Sequence, residues 1–463
     1  MFSNKNEDES RFPDDFLRVN IKTLWMCGLW NCFGIQRKEN FTYTLFSIMA
    51  SFVLLHQSVT QTAYLMFNMK YFAILISSAG LILTYLTLLF KRFVYLTVEQ
   101  RIYRLVNGLR DGDLSSSSNW TEEQVEMAKD YDRRARNMSW SYYWLGVVCL
   151  FFLSMSGIVN GPLKEDKSVN STSWRNLPYN EAIFEFDIQN VVYYGIALVL
   201  QYLAVFFGPT TNIGIDTMFV ALVIHASGQI QILKLSLTKM KERAIRMEPD
   251  DLNIRNTDRP IWDKIDPDSI TEELKLIESF NDQFDEDNLE STQYENDEGR
   301  NYLSNLLQVK LSMCLNDCIR HHQEIAKFTT ELEYIFSPMS LIQFLSSSVT
   351  LCLIIFSIAV SDVSRLPTNI VFLSISITQL LLYCWFGSEL TYQFESLVAA
   401  IYDAPWYGSS LNFQKNILTM LIRATKSFIL TGGTIYLMNL NTFLTMMKAS
   451  FSYYTMLKEM DIS

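Results

Sequence analysis

The chain has 463 residues, 49% of them hydrophobic, and a formal net charge of −11. Length alone would allow two or three soluble domains, but the hydrophobic residues are gathered into runs of the roughly 20 residues that a bilayer core requires. This clustering argues against an ordinary soluble protein. The runs lie near 41–67, 71–90, 139–160, 190–226, 336–360 and 369–388, and a weaker seventh starts near 427.

The first 40 residues are polar and of mixed charge, so no cleavable signal peptide is expected before the first run. The seven cysteines are odd in number and lack the paired loop spacing of a disulfide framework. We therefore expect free, mostly buried thiols. The fold class that these features predict is an all-α membrane protein with seven transmembrane helices.

The distribution of Lys and Arg predicts which side of the membrane each segment faces. One set of alternating segments carries 31 basic residues, and the other set carries 6. Basic residues near the ends of spans stay in the cytoplasm, so the N-terminus is predicted to be cytoplasmic and the C-terminus extracellular. The basic-rich segments are 1–40, 91–138, 227–335 and 392–426.

This topology divides the chain into six predicted segments. They are a cytoplasmic N-terminal segment at 1–40, transmembrane helices one to four at 41–226, a cytoplasmic helical anchor at 227–335, transmembrane helices five and six at 336–391, further cytoplasmic anchor helices at 392–426, and the last helix with an extracellular C-terminus at 427–463.

Asn170 begins an Asn-Ser-Thr glycosylation sequon in the loop 161–189. Because this loop is predicted to be extracellular, Asn170 is expected to be glycosylated. Two further sequons, at Asn119 and Asn137, fall on the predicted cytoplasmic side, where they would stay unmodified.

An acidic loop interrupts the predicted anchor. Residues 248–298 hold 18 Asp or Glu against 4 Lys or Arg. Low hydrophobicity with high charge favours disorder. On both sides, at 227–237 and 302–336, apolar residues recur at helical spacing. This pattern predicts two cytoplasmic helices whose apolar faces pack on each other and on neighbouring subunits.

The last predicted helix carries one polar stripe, whose members follow each other at steps of three or four residues, the spacing of one helix face. A polar stripe through a bilayer is costly unless it faces protein or water. Two interpretations stay open from periodicity alone: the stripe lines a water-filled pore around a symmetry axis, or it packs inside the helix bundle. Its members are Asn441, Thr445, Lys448, Ser452, Thr455 and Glu459, and its backward extension reaches Met438 and Thr434.

Several stretches resemble insect odorant receptors, and the resemblance covers the whole chain. The ending FLTMMKASFSYYTML at 443–457 is similar to the last helix of that family. Two ordered pairs of stretches also resemble it: LYCWFGSEL at 382–390 with AAIYDAPW at 399–406, and DTMFVAL at 216–222 with QIQIL at 229–233. The topology predicted from charge agrees with that family independently. The acidic loop departs from it, being longer than in most members.

The resemblance implies an odorant-gated, non-selective cation channel, in which a variable tuning subunit forms a tetramer with a shared co-receptor. Matching the endings places Met456 at a narrow apolar gate and Glu459 at the polar ring outside it. Ser452 and Thr455 come from the polar stripe. A small rotation on opening would exchange Met456 for Thr455. The polar residues after Met456, where the co-receptor is usually apolar, favour a tuning subunit.

The resemblance also implies a volatile odorant in the extracellular half of the bundle, between the second, third, fourth and sixth spans. Such sites are mostly apolar with few polar groups. Burial would supply most of the binding free energy. The expected lining, one helix face from each span, consists of Phe72, Leu75, Ile76 and Ala79; Phe152, Met155, Ser156 and Val159; Tyr202, Phe206, Thr210 and Ile213; and Phe372, Ser376, Gln379 and Tyr383.

The implied location is the plasma membrane of a sensory neuron dendrite. The implied partners are a volatile odorant, the co-receptor, membrane lipid and permeating cations. We expect no nucleic acid, cofactor or metal.

Other functions stay open as alternatives. A homomeric channel of the co-receptor or gustatory type shares the fold. A G-protein-coupled receptor has seven spans, but with its N-terminus outside. A transporter would show internal repeats around broken helices, and only Gly208-Pro209 and Gly432-Gly433 suggest such breaks. Neither a nucleotide-binding glycine loop nor a catalytic triad is found in the sequence, so we do not expect an enzyme.

Overall fold

The computed structural model describes residues 17–30, 41–67, 72–110, 120–159, 191–247, 297–360 and 366–462. These residues form ten helices and one short sheet. The helices are α1 (Arg18–Met26), α2 (Phe41–Phe67), α3 (Phe72–Arg110), α4 (Glu122–Val159), α5 (Val191–Thr238), α6 (Met240–Arg246), α7 (Asp297–Val360), α8 (Leu366–Tyr402), α9 (Leu411–Ala424) and α10 (Leu440–Ile462), and the strands are β1 (Thr431–Gly432) and β2 (Tyr436–Leu437).

The apolar runs fold as helices that continue past them. Within the part of the chain that the structure describes, five stretches of helix are long and apolar enough to cross a membrane: Phe41–Phe67, Ala79–Arg110, Val192–Thr238, Leu306–Ala359 and Leu366–Tyr402. The third predicted run lies in α4 and most of the seventh in α10. The predicted acidic loop lies almost entirely outside the described residues, since α7 begins at Asp297. Asn170 also lies outside them.

The chain divides into two compact units. The first contains the described residues within Met1–Ile232, Gln323–Glu395 and Ser427–Ser463. In its core, apolar side chains of α2, α3 and α5 interlock. They include Leu54, Tyr85 and Phe207, all at most 4% exposed. Burial of such side chains stabilises a helix bundle by about 1.5 to 3 kcal/mol each relative to exposure in water.

Large apolar side chains also face outward from the first unit. Phe52, Val59 and Val199 are each more than half exposed, and they lie on helices that are long enough to span a bilayer. Extended apolar surface of this kind is unfavourable in water and suits contact with lipid. The chain is therefore a multi-pass membrane protein.

The second unit contains the described residues within Leu233–His322 and Ser396–Lys426. The Lys310 ammonium donates to the Met247 carbonyl oxygen at 2.9 Å, and the Lys234 ammonium donates to Ser396 Oγ at 2.8 Å. Ser410 is the N-cap of α9, and its hydroxyl oxygen accepts from the Phe413 amide. As the helical periodicity predicted, residues 227–237 are helical within α5 and residues 302–336 within α7.

The start of the last helix differs from the sequence expectation. No helix runs through residues 427–439; instead β1 and β2 form a tight antiparallel hairpin in which Gly432 pairs with Tyr436. Gly433 and Thr434 both have positive φ angles, +60° and +63°, which a helix does not allow. The backward extension of the polar stripe to Thr434 and Met438 was therefore wrong.

The helix α10 begins at Leu440 because a local side chain caps it. Asn439 Oδ1 accepts a hydrogen bond from the Thr442 amide at 2.8 Å, as an N-cap residue does. Of the two breaks that the sequence suggested, the one at Gly432-Gly433 agrees with the hairpin, whereas the one at Gly208-Pro209 was wrong, since α5 continues through Pro209.

The cysteine thiols agree with expectation where the structure describes them. Six of the seven are free and buried: Cys27, Cys149, Cys314, Cys318, Cys352 and Cys384. Burial raises the pKa of the Cys27 thiol to about 12, so this side chain stays neutral.

Candidate functional site: a cavity in the first unit and the last helix

A cavity of about 90 Å³ lies among α3, α4, α5, α7 and α8 in the first unit. One ordered water needs only about 10 to 15 Å³ of such space, so a small organic molecule fits better than a single water. The wall consists of Leu81, Thr84, Tyr85, Thr87, Leu88, Tyr142, Cys149, Gly208, Pro209, Asn212, Ile213, Gln343, Ser346, Ser347, Thr350, Phe372, Ile375, Ser376 and Gln379.

Four residues of the predicted ligand site lie in this wall. They are Ile213 on α5, and Phe372, Ser376 and Gln379 on α8. The first set of predicted positions gives less: Ala79 is half-buried outside the wall, and the side chains of Phe72, Leu75 and Ile76 lie outside the described part of the chain. The side chains of Met155, Ser156 and Val159 also lie outside the described part of the chain. Phe152 is half-buried, and its ring contacts that of Phe151 edge to face.

The predicted face of α5 divides between two environments. Tyr202 and Phe206 are more than a third exposed and lie outside the cavity wall. Thr210 is buried, and its hydroxyl donates to the Phe206 carbonyl oxygen. On α5 the cavity wall instead consists of residues between Gly208 and Ile213. This face of the helix is rotated by about one residue, or about 100°, from the predicted face.

The prediction missed the wall residues of α3, α4 and α7 and most of those on α5, and two of these omissions concern the polar groups of the cavity. One is α7, which contributes Gln343, Ser346, Ser347 and Thr350. The resemblance did not place the fifth span at the site, although the run 336–360 shows polar residues at helical spacing. The other is the amide side chain of Asn212 on α5.

Most hydroxyl groups in the wall already donate their proton to helix backbone. Thr84 donates to the Gly80 carbonyl oxygen at 2.8 Å, and Ser376 donates to that of Phe372 at 2.8 Å. Thr87 donates to the carbonyl oxygen four residues earlier in its helix, and Ser346 donates to the one three residues earlier. These side chains therefore present acceptor lone pairs to the cavity, but their protons are already used.

A buried ion pair lies next to the cavity. Lys91 Nζ is 2.8 Å from Asp216 Oδ1, and the two side chains are 0% and 1% exposed. The Tyr383 hydroxyl donates to Asp216 Oδ1 at 2.7 Å, and Gln379 Nε2 donates to Asp216 Oδ2 at 2.5 Å. This arrangement satisfies a buried carboxylate, which would otherwise be very costly in an apolar interior. Tyr383, a predicted lining residue, thus bonds to the ion pair rather than facing the cavity.

The sequence carried a signal for this pair that the prediction did not use. Asp216 lies inside the run 190–226, and Lys91 directly follows the run 71–90. Ionisable residues inside membrane spans are rare and normally pair with each other or with backbone. An acid and a base in two neighbouring spans are therefore candidates for partners.

The last helix contacts the rest of the first unit along one narrow strip. Met446 and Ser450 are buried, and the Ser450 hydroxyl donates to the Ser348 carbonyl oxygen on α7 at 3.3 Å. Every member of the polar stripe whose side chain is described is exposed on the isolated chain. These members are Asn441, Thr445, Lys448, Ser452 and Thr455.

The stripe lies opposite the buried strip. Successive residues of an α-helix turn by about 100°, so Ser452 points about 200° away from Ser450. Packing of the stripe inside the helix bundle of its own chain is therefore ruled out for these residues. Met456 is 59% exposed, next to the stripe, and the side chain of Glu459 lies outside the described residues.

These observations define a class: a helical multi-pass membrane protein with a cavity among its helices and a last helix whose polar face points away from its own bundle. Over residues 71–451 the sequence matches the family described as 7tm Odorant receptor. The chain belongs to this family, whose members are receptors and ion channels rather than enzymes.

Curated relatives are insect odorant receptors. Odorant receptor Or2 of Anopheles gambiae is 24% identical over 31% of this chain, and Odorant receptor 19a of Drosophila melanogaster is 30% identical over 34%. These alignments span only 38% and 41% of the length of the relatives. Odorant receptor Or1 of Anopheles gambiae is 20% identical over 80% of both chains.

Solved structures of the olfactory receptor OR5 from Machilis hrabei share the fold. One has a TM-score of 0.69 at 13% identity and covers 96% of this chain and 99% of its own. Another, in complex with eugenol, has a TM-score of 0.70 at 14% identity and covers 96% of this chain and 100% of its own.

Proposed function

We propose that this protein is an odorant-gated, non-selective cation channel subunit that works in a tetramer with the odorant receptor co-receptor. The observation that carries the proposal is the position of the polar stripe on α10. Asn441, Lys448 and Ser452 lie on the side of α10 opposite the buried strip. Met446 and Ser450 form that strip. In a bilayer, a polar face needs water or polar protein beside it, and a pore on a symmetry axis between subunits supplies water.

The apolar exposed side of α10 supports the same assembly. Leu444 and Phe451 are each more than half exposed on the flank of the stripe. In a tetramer these side chains pack against the neighbouring subunits, while the stripe faces the axis. Met456 forms the apolar constriction and Glu459 the polar ring beyond it in this arrangement. The cytoplasmic N-terminus, the extracellular C-terminus and the glycosylation of Asn170 belong to the same proposal.

The ligand site is the cavity of the first unit. Its wall is apolar over much of its area and carries a few amides and hydroxyls, as small-molecule sites do. A related fold binds eugenol in the Machilis hrabei receptor. A volatile molecule of similar size is the proposed ligand here, and the plasma membrane of a sensory neuron dendrite is the proposed location.

Whole-cell recording tests the function directly. Cells expressing this chain, with and without the co-receptor, receive a panel of volatile odorants while surface expression is measured. We expect a cation current without the delay of a G-protein cascade, and only when the co-receptor is present. Current from this chain alone would make it a homomeric channel. No current in either case, with the protein at the surface, would refute the channel.

A further inference from the structure

The buried ion pair Lys91–Asp216 connects to the cavity through two amide side chains. Lys91 Nζ donates to Asn212 Oδ1 at 3.0 Å, and Gln379 Nε2 donates to Asp216 Oδ2 at 2.5 Å. Neither charged residue lies in the cavity wall, but Asn212 and Gln379 both do. A single amide side chain therefore separates each charged group from the cavity.

The ion pair fixes which end of each amide faces the cavity. An ammonium group can only donate hydrogen bonds, so the oxygen of Asn212 must face Lys91 and its NH2 group is left for the cavity. A carboxylate can only accept, so the nitrogen of Gln379 must face Asp216. That nitrogen gives its second proton to Gln343 Oε1 at 3.2 Å, which leaves the Gln379 oxygen as an acceptor.

We propose that Asn212 and Gln379 form a polar anchor for small uncharged ligands that carry a hydroxyl group, and that Lys91 and Asp216 act as positioning residues for both amides. A ligand hydroxyl accepts from the Asn212 NH2 group and donates to the Gln379 oxygen. The rest of the ligand occupies the apolar part of the cavity around Leu81. This proposal rests on the cavity being the ligand site of the proposed function.

Four hydroxyl groups of the wall fit this division of roles. Thr84, Thr87, Ser346 and Ser376 give their protons to backbone, so they can accept from a ligand but not donate to it. A ligand with an acceptor alone, such as an ether, would leave the Gln379 oxygen without a donor. A hydrocarbon would leave both amide groups without partners, and buried polar groups without partners lower affinity strongly.

The test compares ligands that differ only in the hydroxyl group. Benzyl alcohol and ethylbenzene form such a pair, since a methyl group replaces the hydroxyl. Their dissociation constants are measured on the purified full-length receptor from the rise in its thermal unfolding midpoint with ligand concentration. We expect the alcohol to bind at least about tenfold more tightly to the wild-type protein, and Asn212→Leu and Gln379→Leu to remove most of this preference.

Two further variants separate positioning from a loss of fold. The double variant K91M/D216L removes both charges together, so that neither is left unpaired. It should bind ethylbenzene like the wild type but lose the preference for the alcohol. Thr378→Val is the matched control, because Thr378 neighbours Gln379 on α8, lies outside the cavity wall and gives its proton to the Ser374 carbonyl oxygen. It should keep the full preference.

Different outcomes separate this proposal from the channel function. Equal affinity of the wild type for both ligands, no binding of either one, or an unchanged preference in Asn212→Leu would overturn the anchor. Odorant-evoked currents from the wild type would still support the channel in each of these cases. A preference for the alcohol in the binding measurement without any current would support the anchor and refute the channel.

Discussion

The hydroxyl of Ser450 lies 3.3 Å from the carbonyl oxygen of Ser348, which joins the last helix to α7. Ser450 is fully buried at this contact, whereas Ser452, two positions later, is exposed. The same residue type therefore serves two purposes on one helix. Ser450 permits close packing of α10 on its own chain, and Ser452 belongs to the polar stripe.

Exchanging each serine for leucine should separate packing from conduction. Ser450→Leu inserts a larger side chain into a filled contact and should destabilise the protein by about 1 to 3 kcal/mol. Ser452→Leu changes an exposed position and should leave stability within about 0.5 kcal/mol, but should reduce the odorant-evoked current. Thermal unfolding and whole-cell current are the two measurements. Equal effects of the two variants on both measurements would contradict the proposed pore face.

Removing one partner of the buried ion pair should be more harmful than removing both. Lys91→Met leaves the Asp216 carboxylate buried without its countercharge, which typically costs about 3 to 5 kcal/mol. Adding Asp216→Leu should restore much of the lost stability, because no buried charge is then left. The thermal unfolding midpoints of the single and double variants test this. A double variant no more stable than Lys91→Met would mean that the pair contributes little and that other contacts of these residues dominate.

Gly387 should not tolerate a side chain. A Cβ atom at this position of α8 would lie 2.3 Å from the Met438 carbonyl oxygen, which belongs to the backbone just before α10. Gly387→Ala should therefore destabilise the protein and disturb the start of the last helix, as measured by thermal unfolding and current. Gly195→Ala is the control, because nothing lies within 4 Å of its Cβ position. It should be neutral or stabilise α5 by up to about 1 kcal/mol. Equal losses at both glycines would contradict this explanation.

Met456→Ala should weaken the closed state of the proposed channel. The Met456 side chain is exposed beside the polar stripe, where it can narrow a pore between subunits. Shortening it should raise the current in the absence of odorant and change the concentration that opens the channel. Recording leak and dose response in cells that also express the co-receptor checks both effects. An unchanged leak with unchanged gating would remove Met456 from the constriction.

The sequence predicted the wall of the cavity only in part, and the reason lies in helix rotation. Apolar residues cover both faces of the run 190–226, so its composition carries no signal for the face that turns inward. Ile213 lies in the cavity wall, but Tyr202 and Phe206 lie on the outer surface. In the sixth span one face is more polar than the other. On that face Phe372, Ser376 and Gln379 all lie in the cavity wall.

The sequence by itself determined the class of this protein. Hydrophobic runs of bilayer length can only fold as spanning helices, because each backbone group must find its hydrogen bond within the helix when lipid surrounds it. The regular spacing from Asn441 to Thr455 likewise determined that the last helix has a polar face. Both properties are local, since they depend on neighbours along the chain.

Only the tertiary structure decided what each face meets. The pairing of Lys91 with Asp216 joins positions 125 residues apart, and the hairpin of Gly432 with Tyr436 moves the start of the last helix to Leu440. The direction of the polar stripe, away from its own bundle, follows from the burial of Ser450 against Ser348. Such contacts depend on how helices rotate against one another, and side-chain packing between distant segments sets that rotation.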